Sequence, residues 1–238
     1  MADTKTVVLV HGAWCGDWIF WKLKSCLEKR GIRCVGTNLP TGGANDTSVS
    51  AHDDAAYLRD LIDKIDGPVV LAGKSYGGAV ISGAGVDRSS IAHLVYIAAV
   101  MPQAGEPFQR TMRASLTLEF AQGIKLLPDG RFAMDVEVGA RCAFSQAPEN
   151  DRDVWRREAR PMSMGRDPSI AFDRVAWGAV PSTYIVCAED KAINPTAQRA
   201  WAARATHMIE APFDHSPGVS HPDAVADILS RIARAPNG

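Results

Sequence analysis

The chain has 238 residues, of which 46% are hydrophobic, and this is enough to bury one full core without a second domain. Its 26 Lys and Arg residues nearly balance its 27 Asp and Glu residues, and the net charge of -1 gives no electrostatic reason to bind nucleic acid or an anionic membrane. We therefore expect the partner to be a small molecule.

Two further features predict the compartment. The first six residues lack the basic and apolar regions of a secretory leader, and no apolar run approaches the roughly 20 residues that span a bilayer. The five cysteines are scattered without C-x-x-C spacing, which suits reduced core thiols better than disulfides or a zinc site. These features predict a soluble, cytoplasmic protein without a metal.

The first hundred residues alternate between apolar runs and helical patterns. The pattern predicts strands at residues 6–10, 32–37, 69–72 and 91–100, and helices at residues 17–30, 52–65 and 79–86. Alternation of this kind favours a parallel sheet with helices on both faces, because right-handed crossovers place the helices there.

The alternation breaks in residues 102–178, which are rich in proline. A turn at Pro128-Asp129-Gly130 between two short apolar runs predicts a hairpin, and a helix is expected at residues 147–159 with Trp155 as its apolar anchor. Long irregular insertions in compact folds are usually functional, so we interpret this one as a cap that determines substrate range. The alternative is that the insertion is a surface segment without a role in substrate binding.

Regular alternation returns after the insertion. Strands are predicted at residues 182–187 and 207–211, and helices at residues 195–205 and 220–235. Ser220 and Asp223 have the spacing of a capping box at the start of the last helix. The whole pattern predicts one α/β domain with a mostly parallel, six-stranded sheet and an inserted cap.

The motif most specific for function is Gly73-Lys74-Ser75-Tyr76-Gly77, between a predicted strand and a predicted helix. A sharp turn there lifts a serine oxygen above the sheet edge, and glycines on either side avoid collisions where strand and helix cross. Ser75 is therefore the candidate nucleophile. The alternatives are a glycine-rich turn with a solvated serine, or a phosphate-binding loop.

A nucleophilic serine needs a base, and His215 is the candidate because it lies in a loop directly after the last predicted strand. In a parallel sheet, this loop emerges at the same edge as Ser75. The remaining histidines that we weighed are expected to be structural: His11, His52, His93 and His207.

The third catalytic group should be a carboxylate that orients the imidazole. Asp190 is preferred because it lies just beyond the end of the preceding strand, with Glu189 and Glu106 as alternatives. The resulting order of serine, aspartate and histidine matches that of α/β-hydrolases.

The sequence resembles the compact branch of the α/β-hydrolases that includes plant methyl-ester esterases, hydroxynitrile lyases and bacterial esterases. The resemblance is carried by the segments 8–14, 73–78, 188–190, 214–217 and 220–225. It implies an α/β-hydrolase fold, an oxyanion hole formed by the backbone N–H groups of Ala13 and Tyr76, and the option of a homodimer. Lys74 departs from the family, in which a histidine or similar residue is common; this bears on the electrostatics of the turn.

From these residues we predict a serine hydrolase that cleaves a carboxylic ester of a small, largely apolar substrate through an acyl-enzyme, without a cofactor. A lactone or thioester is an option within this class. One alternative is a ligand receptor on the same fold. Another is a hydroxynitrile lyase, which the resemblance disfavours because Ser216 and Gly12 stand where those lyases have a lysine and a threonine.

Overall fold

The computed structural model describes residues 4–236. Its eight strands are β1 (Thr6–Val10), β2 (Cys34–Gly36), β3 (Val69–Lys74), β4 (Ile91–Ile97), β5 (Ile124–Leu126), β6 (Phe132–Met134), β7 (Ser182–Cys187) and β8 (His207–Ala211). Six of them form a sheet in the order β2-β1-β3-β4-β7-β8, and every neighbouring pair in it is parallel. The predicted fold class is confirmed.

The helices are α1 (Trp21–Lys29), α2 (Ala51–Ile62), α3 (Gly77–Ala84), α4 (Phe108–Ser115), α5 (Leu118–Gln122), α6 (Val136–Ala143), α7 (Glu149–Glu158), α8 (Pro195–Ala202), α9 (Pro217–Ser220) and α10 (Pro222–Arg234), with two short 3-10 helices, Asp17–Phe20 and Ala176–Gly178. Every residue of β1 and β3 is buried, as expected for strands covered on both faces. In the part of the chain that the structure describes, no helix is both long and apolar enough to cross a membrane.

The segment between β4 and β7 holds α4 to α7 and a separate two-stranded sheet. The predicted hairpin is present, with β5 and β6 antiparallel and Ile124 paired with Met134. Gly130 has a φ of 86°, which only glycine adopts freely, and this explains its place in the turn.

Trp155 is the apolar anchor of α7, as the sequence predicted. Its ring is buried against Phe144 and Trp18, and its Nε1 donates to the carbonyl of Val136 at 2.9 Å. A Cβ on Gly139 of α6 would lie 2.4 Å from the Trp155 ring. Trp155 therefore joins α6 to α7, as expected of the apolar anchor of its helix.

Two predictions about element ends are wrong for identifiable reasons. The strand predicted to reach residue 100 ends at Ile97, because Ala98 turns into a left-handed conformation with a φ of 44°. The predicted capping box at Ser220 is absent. The N-cap residue of α10 is His221, and the Ser220 hydroxyl donates instead to Asp214 Oδ1 at 2.6 Å. A capping box does form at the start of α2, between Ser50 and Asp53.

Candidate active site

Ser75 lies in the turn between β3 and α3, with a φ of 55° that a side-chain-bearing residue rarely adopts. The turn is held by the Ser75 N–H, which donates to Ile97 O, and by its carbonyl, which accepts from Val100. A Cβ on Gly73 would lie 2.6 Å from the carbonyl oxygen of Gly77, and a Cβ on Gly77 would lie 2.4 Å from that of Val10. Both glycines of the motif are therefore sterically required.

Residues with strained backbone conformations lie close to this turn. Trp14, Ser75 and Ala98 all have positive φ values, and they lie just beyond the carboxyl ends of β1, β3 and β4. Such conformations cost of order 1–3 kcal/mol each and persist where the surroundings enforce them. The strain thus marks the sheet edge at which the sequence predicts chemistry.

The loops after β7 and β8 bring Asp190 and His215 together at that edge. His215 Nδ1 lies 2.7 Å from Asp190 Oδ2, and both side chains are buried. The Asp190 oxygens also accept from the backbone N–H groups of Ala192 and Ile193 and from Gln198 Nε2. Since Asp190 accepts from these groups, His215 Nδ1 acts as a donor, which leaves Nε2 with a free lone pair.

The two alternative carboxylates have other partners. Glu189 accepts from Gln146 Nε2 at 2.6 Å. Glu106 accepts from the N–H of Gln103, the hydroxyl of Thr111 and the guanidinium of Arg204. Asp190 is therefore the carboxylate that reaches the His215 ring.

The loop that carries His215 is fixed by its neighbour Asp214, which is fully buried. Asp214 accepts from the N–H groups of Ser216 and Gln146 and from the Ser220 hydroxyl.

Burial lowers the pKa of His215, Lys74 lowers it further and Asp190 raises it. The imidazole is therefore neutral at pH 7 and can accept a proton.

The turns that hold Lys74 and Ser216 meet at a small cavity. Both residues line it together with Phe20, and its volume of about 10 Å³ is near the minimum for one water molecule. Because Lys74 precedes Ser75 and Ser216 follows His215, this shared cavity shows that the turn with Ser75 and the loop with His215 lie next to each other.

The amides of Ala13 and Tyr76 have the freedom that an oxyanion hole requires. Within residues 4–236, neither N–H donates a hydrogen bond to another protein group. The Tyr76 side chain is anchored separately: its hydroxyl donates to Asp54 Oδ2 at 2.7 Å. Asp54 also accepts from the N–H and hydroxyl of Thr41, so the residue after Ser75 is fixed to α2.

His11 holds the loop on the other side of Ser75. Its Nε2 accepts from the N–H of Leu39 at 3.0 Å, so its Nδ1 donates to the carbonyl of Gly12 at 2.8 Å. Burial lowers the pKa of His11 to about 4. A neutral ring with a hydrogen bond at each nitrogen fits the structural role expected of this histidine.

Sequence reasoning missed the buried residues that support the site, chiefly Asp54, Gln198 and Asp214. Only Asp54 left a usable signal: it lies four residues before Leu58 on the buried stripe of α2, where a charge is out of place. Gln198 and Asp214 act through contacts between distant segments. In the described range, no group of three or more His, Cys, Asp or Glu side chains is placed to hold a metal ion.

Comparison with known proteins shows the family of this chain. Residues 7–228 match the model of the Alpha/beta hydrolase family, and the chain belongs to that family. The resemblance expected from the motifs is confirmed.

Among similar proteins, Methylesterase 7 of Arabidopsis thaliana is 28% identical in an alignment that covers 97% of this chain and 97% of that protein. Norfluorocurarine synthase 1 of Strychnos nux-vomica is 30% identical in an alignment that covers 96% of this chain and 95% of that protein. The crystal structure of polyneuridine aldehyde esterase superposes with a TM-score of 0.83 at 24% identity, covering 97% of this chain and 100% of that one. At this identity, the structural likeness shows the fold alone.

Proposed function

We propose that this chain is a serine esterase in which Ser75, His215 and Asp190 form the catalytic triad. The α/β-hydrolase family and relatives named as methylesterases make it a carboxylic ester hydrolase. The observation that carries the proposal is the buried His215–Asp190 pair, at the same sheet edge as a serine held in a strained strand-to-helix turn. This is the arrangement that acyl transfer requires.

In the proposed mechanism, the Ser75 hydroxyl attacks the ester carbonyl while its proton moves to His215 Nε2. The N–H groups of Ala13 and Tyr76 stabilise the resulting oxyanion. The alcohol leaves with the proton from His215, and an acyl-enzyme remains on Ser75. Water then attacks the acyl group, again giving its proton to His215, and the carboxylic acid departs as Ser75 regains a proton.

The test is steady-state hydrolysis of p-nitrophenyl and methyl esters by matched variants. Ser75→Ala, His215→Ala and Asp190→Asn should each lower kcat by on the order of 10⁴, and combining them should add little because the three groups act as a unit. Glu189→Gln and Glu106→Gln are the controls, since their carboxylates have other partners. Loss of activity in either control, with near-normal rates in Asp190→Asn, would contradict the assignment.

The same assay separates the esterase from the two alternatives. A receptor on this fold would show a single burst of p-nitrophenol without steady turnover. A hydroxynitrile lyase would release benzaldehyde from mandelonitrile in a Ser75-dependent way. We expect steady ester turnover and no such release, because Ser216 offers a neutral hydroxyl where a departing cyanide needs a positive charge.

A further inference from the structure

Three arginines of the insertion line one cavity, and they differ from the other arginines there. The cavity has a volume of about 650 Å³, and Arg110, Arg113 and Arg166 lie on its wall. Among the described residues, none of the three forms an ion pair with a carboxylate. The other arginines of residues 102–178 all do: Arg131, Arg141, Arg152, Arg156, Arg157, Arg160 and Arg174.

The nearby carboxylates are engaged elsewhere. Asp167 is close enough to Arg110 for a weak electrostatic effect, and Asp46 has the same relation to Arg166. Asp167 accepts from the N–H and the hydroxyl of Ser169, and Asp46 accepts from the N–H of Ser48. The wall of the cavity contains no acidic residue, so its positive charge is not offset from within.

The rest of the wall is largely apolar. Ile124, Leu126, Phe132 and Pro168 line the cavity, and the Arg113 guanidinium lies 5.4 Å from the centre of the Phe132 ring. Leu126 is 66% exposed, so its side chain is accessible to a ligand. A ligand that fits this wall has an apolar body and an anionic end, since guanidinium groups bind carboxylates and phosphates in a paired geometry.

One residue of the cavity wall contacts the loop that follows β1 and carries Ala13. The Phe132 carbonyl accepts from Trp14 Nε1 at 3.0 Å, and Trp14 directly follows Ala13. A second cavity of about 260 Å³ shares Arg113 and Ile124 and is also lined by Ala121. Phe120, next to Ala121 in the chain, lies between the rings of Trp14 and His215, at centroid distances of 6.0 and 6.2 Å.

We propose that Arg110, Arg113 and Arg166 bind an anionic group on the ester substrate, so that the enzyme prefers esters that carry a carboxylate or phosphate at the end of an apolar chain. This inference rests on the proposed esterase function and specifies its substrate class. The arginines would act on binding and the triad on chemistry, so their effects should appear in KM and not in kcat.

The experiment compares two substrates of equal chain length, mono-p-nitrophenyl glutarate, which carries a terminal carboxylate, and neutral p-nitrophenyl pentanoate. Arg110→Gln, Arg113→Gln and Arg166→Gln should each raise KM for the glutarate ester by about fivefold, the size expected for an exposed charge pair with good geometry. The pentanoate values should change less than twofold. Arg141→Gln, which breaks an ion pair with Glu119 outside the cavity wall, is the matched control.

Binding is measured separately from turnover. Calorimetry on Ser75→Ala should show saturable binding of methyl hydrogen glutarate, lost when Arg113→Gln and Arg166→Gln are added. If the wild type hydrolyses no ester but this binding remains, the esterase proposal fails and the anion site stands. Equal KM changes for both esters, or glutarate binding that survives the arginine substitutions, would overturn the anion site. Binding to anionic phospholipid vesicles in place of the free monoester would also overturn it.

Discussion

The phenol of Tyr76 donates a hydrogen bond to the buried carboxylate of Asp54, with 2.7 Å between Oη and Oδ2. Burial raises the pKa of Asp54, and burial together with Asp54 itself raises the pKa of Tyr76 well above its usual value, so the phenol remains the donor. This bond fixes the residue whose N–H is proposed to stabilise the oxyanion. It links α2, the helix that precedes β3, to the turn that carries Ser75.

Tyr76→Phe should therefore lower kcat roughly tenfold with little change in KM, because a small displacement of an oxyanion donor weakens binding of the transition state alone. Steady-state kinetics on a p-nitrophenyl ester would measure this. Tyr96→Phe is the control, since it removes another buried phenol, one that bonds to Ser82. A matching loss in both variants would indicate general destabilisation in place of positioning.

The charge of Lys74 should shape the pH profile. Burial and Lys74 both lower the pKa of His215, and His215 must be neutral to act as a base. The acid limb of kcat/KM should therefore lie below pH 6.5, the usual pKa of histidine. Lys74→Gln removes one lowering effect and should shift that limb to higher pH, whereas Lys74→Arg should leave it in place. An unshifted limb in Lys74→Gln would show that the ammonium does not act on His215.

His11 should make folding stability depend on pH. Its folded pKa of about 4 lies below the value of 6.5 expected in the unfolded chain, so the unfolded state binds the proton first as pH falls. The stabilisation is complete above pH 6.5 and is lost as pH falls toward 4, by about 3 kcal/mol at most. Urea unfolding at several pH values should show a shallower dependence for His11→Gln than for the wild type. An equal dependence on pH in the two proteins would contradict this role of His11.

Trp155→Ala should destabilise the protein by about 3–5 kcal/mol, the usual cost of removing a large buried ring. Its contacts with Phe144 and Trp18 give it a structural role. Urea unfolding would measure the loss, and Trp155→Phe should recover part of it. The ratio of rates on short and long acyl chains should stay constant. A change in that ratio without loss of stability would contradict the packing role of Trp155.

The sequence predicted most of the sheet because β1 and β3 are short, continuous apolar runs, a pattern typical of strands that are buried on both faces. It also predicted Ser75, Asp190 and His215 as site residues, because each follows a strand at the same edge. The ends of strands and helices were harder to predict. Strand β4 ends where Ala98 adopts a left-handed turn, and helix α10 begins at Pro222 because the Ser220 hydroxyl is bonded to Asp214.

The supporting residues were not predictable from the sequence in the same way. Gln198 reaches Asp190 from α8, and Asp54 reaches Tyr76 from α2; each contact depends on how separate elements pack. The three cavity arginines are likewise ordinary in sequence. They stand out only when the ion pairs of the neighbouring arginines are known.

The central claim is that the reaction passes through an acyl group on Ser75, and intact-protein mass spectrometry after rapid acid quench tests it directly. With a p-nitrophenyl ester, the wild type should gain the mass of one acyl group, and peptide mapping should place it on Ser75. Ser75→Ala should gain none and should lose turnover. An acyl group mapped to another residue, or Ser75→Ala that retains steady hydrolysis, would contradict the account.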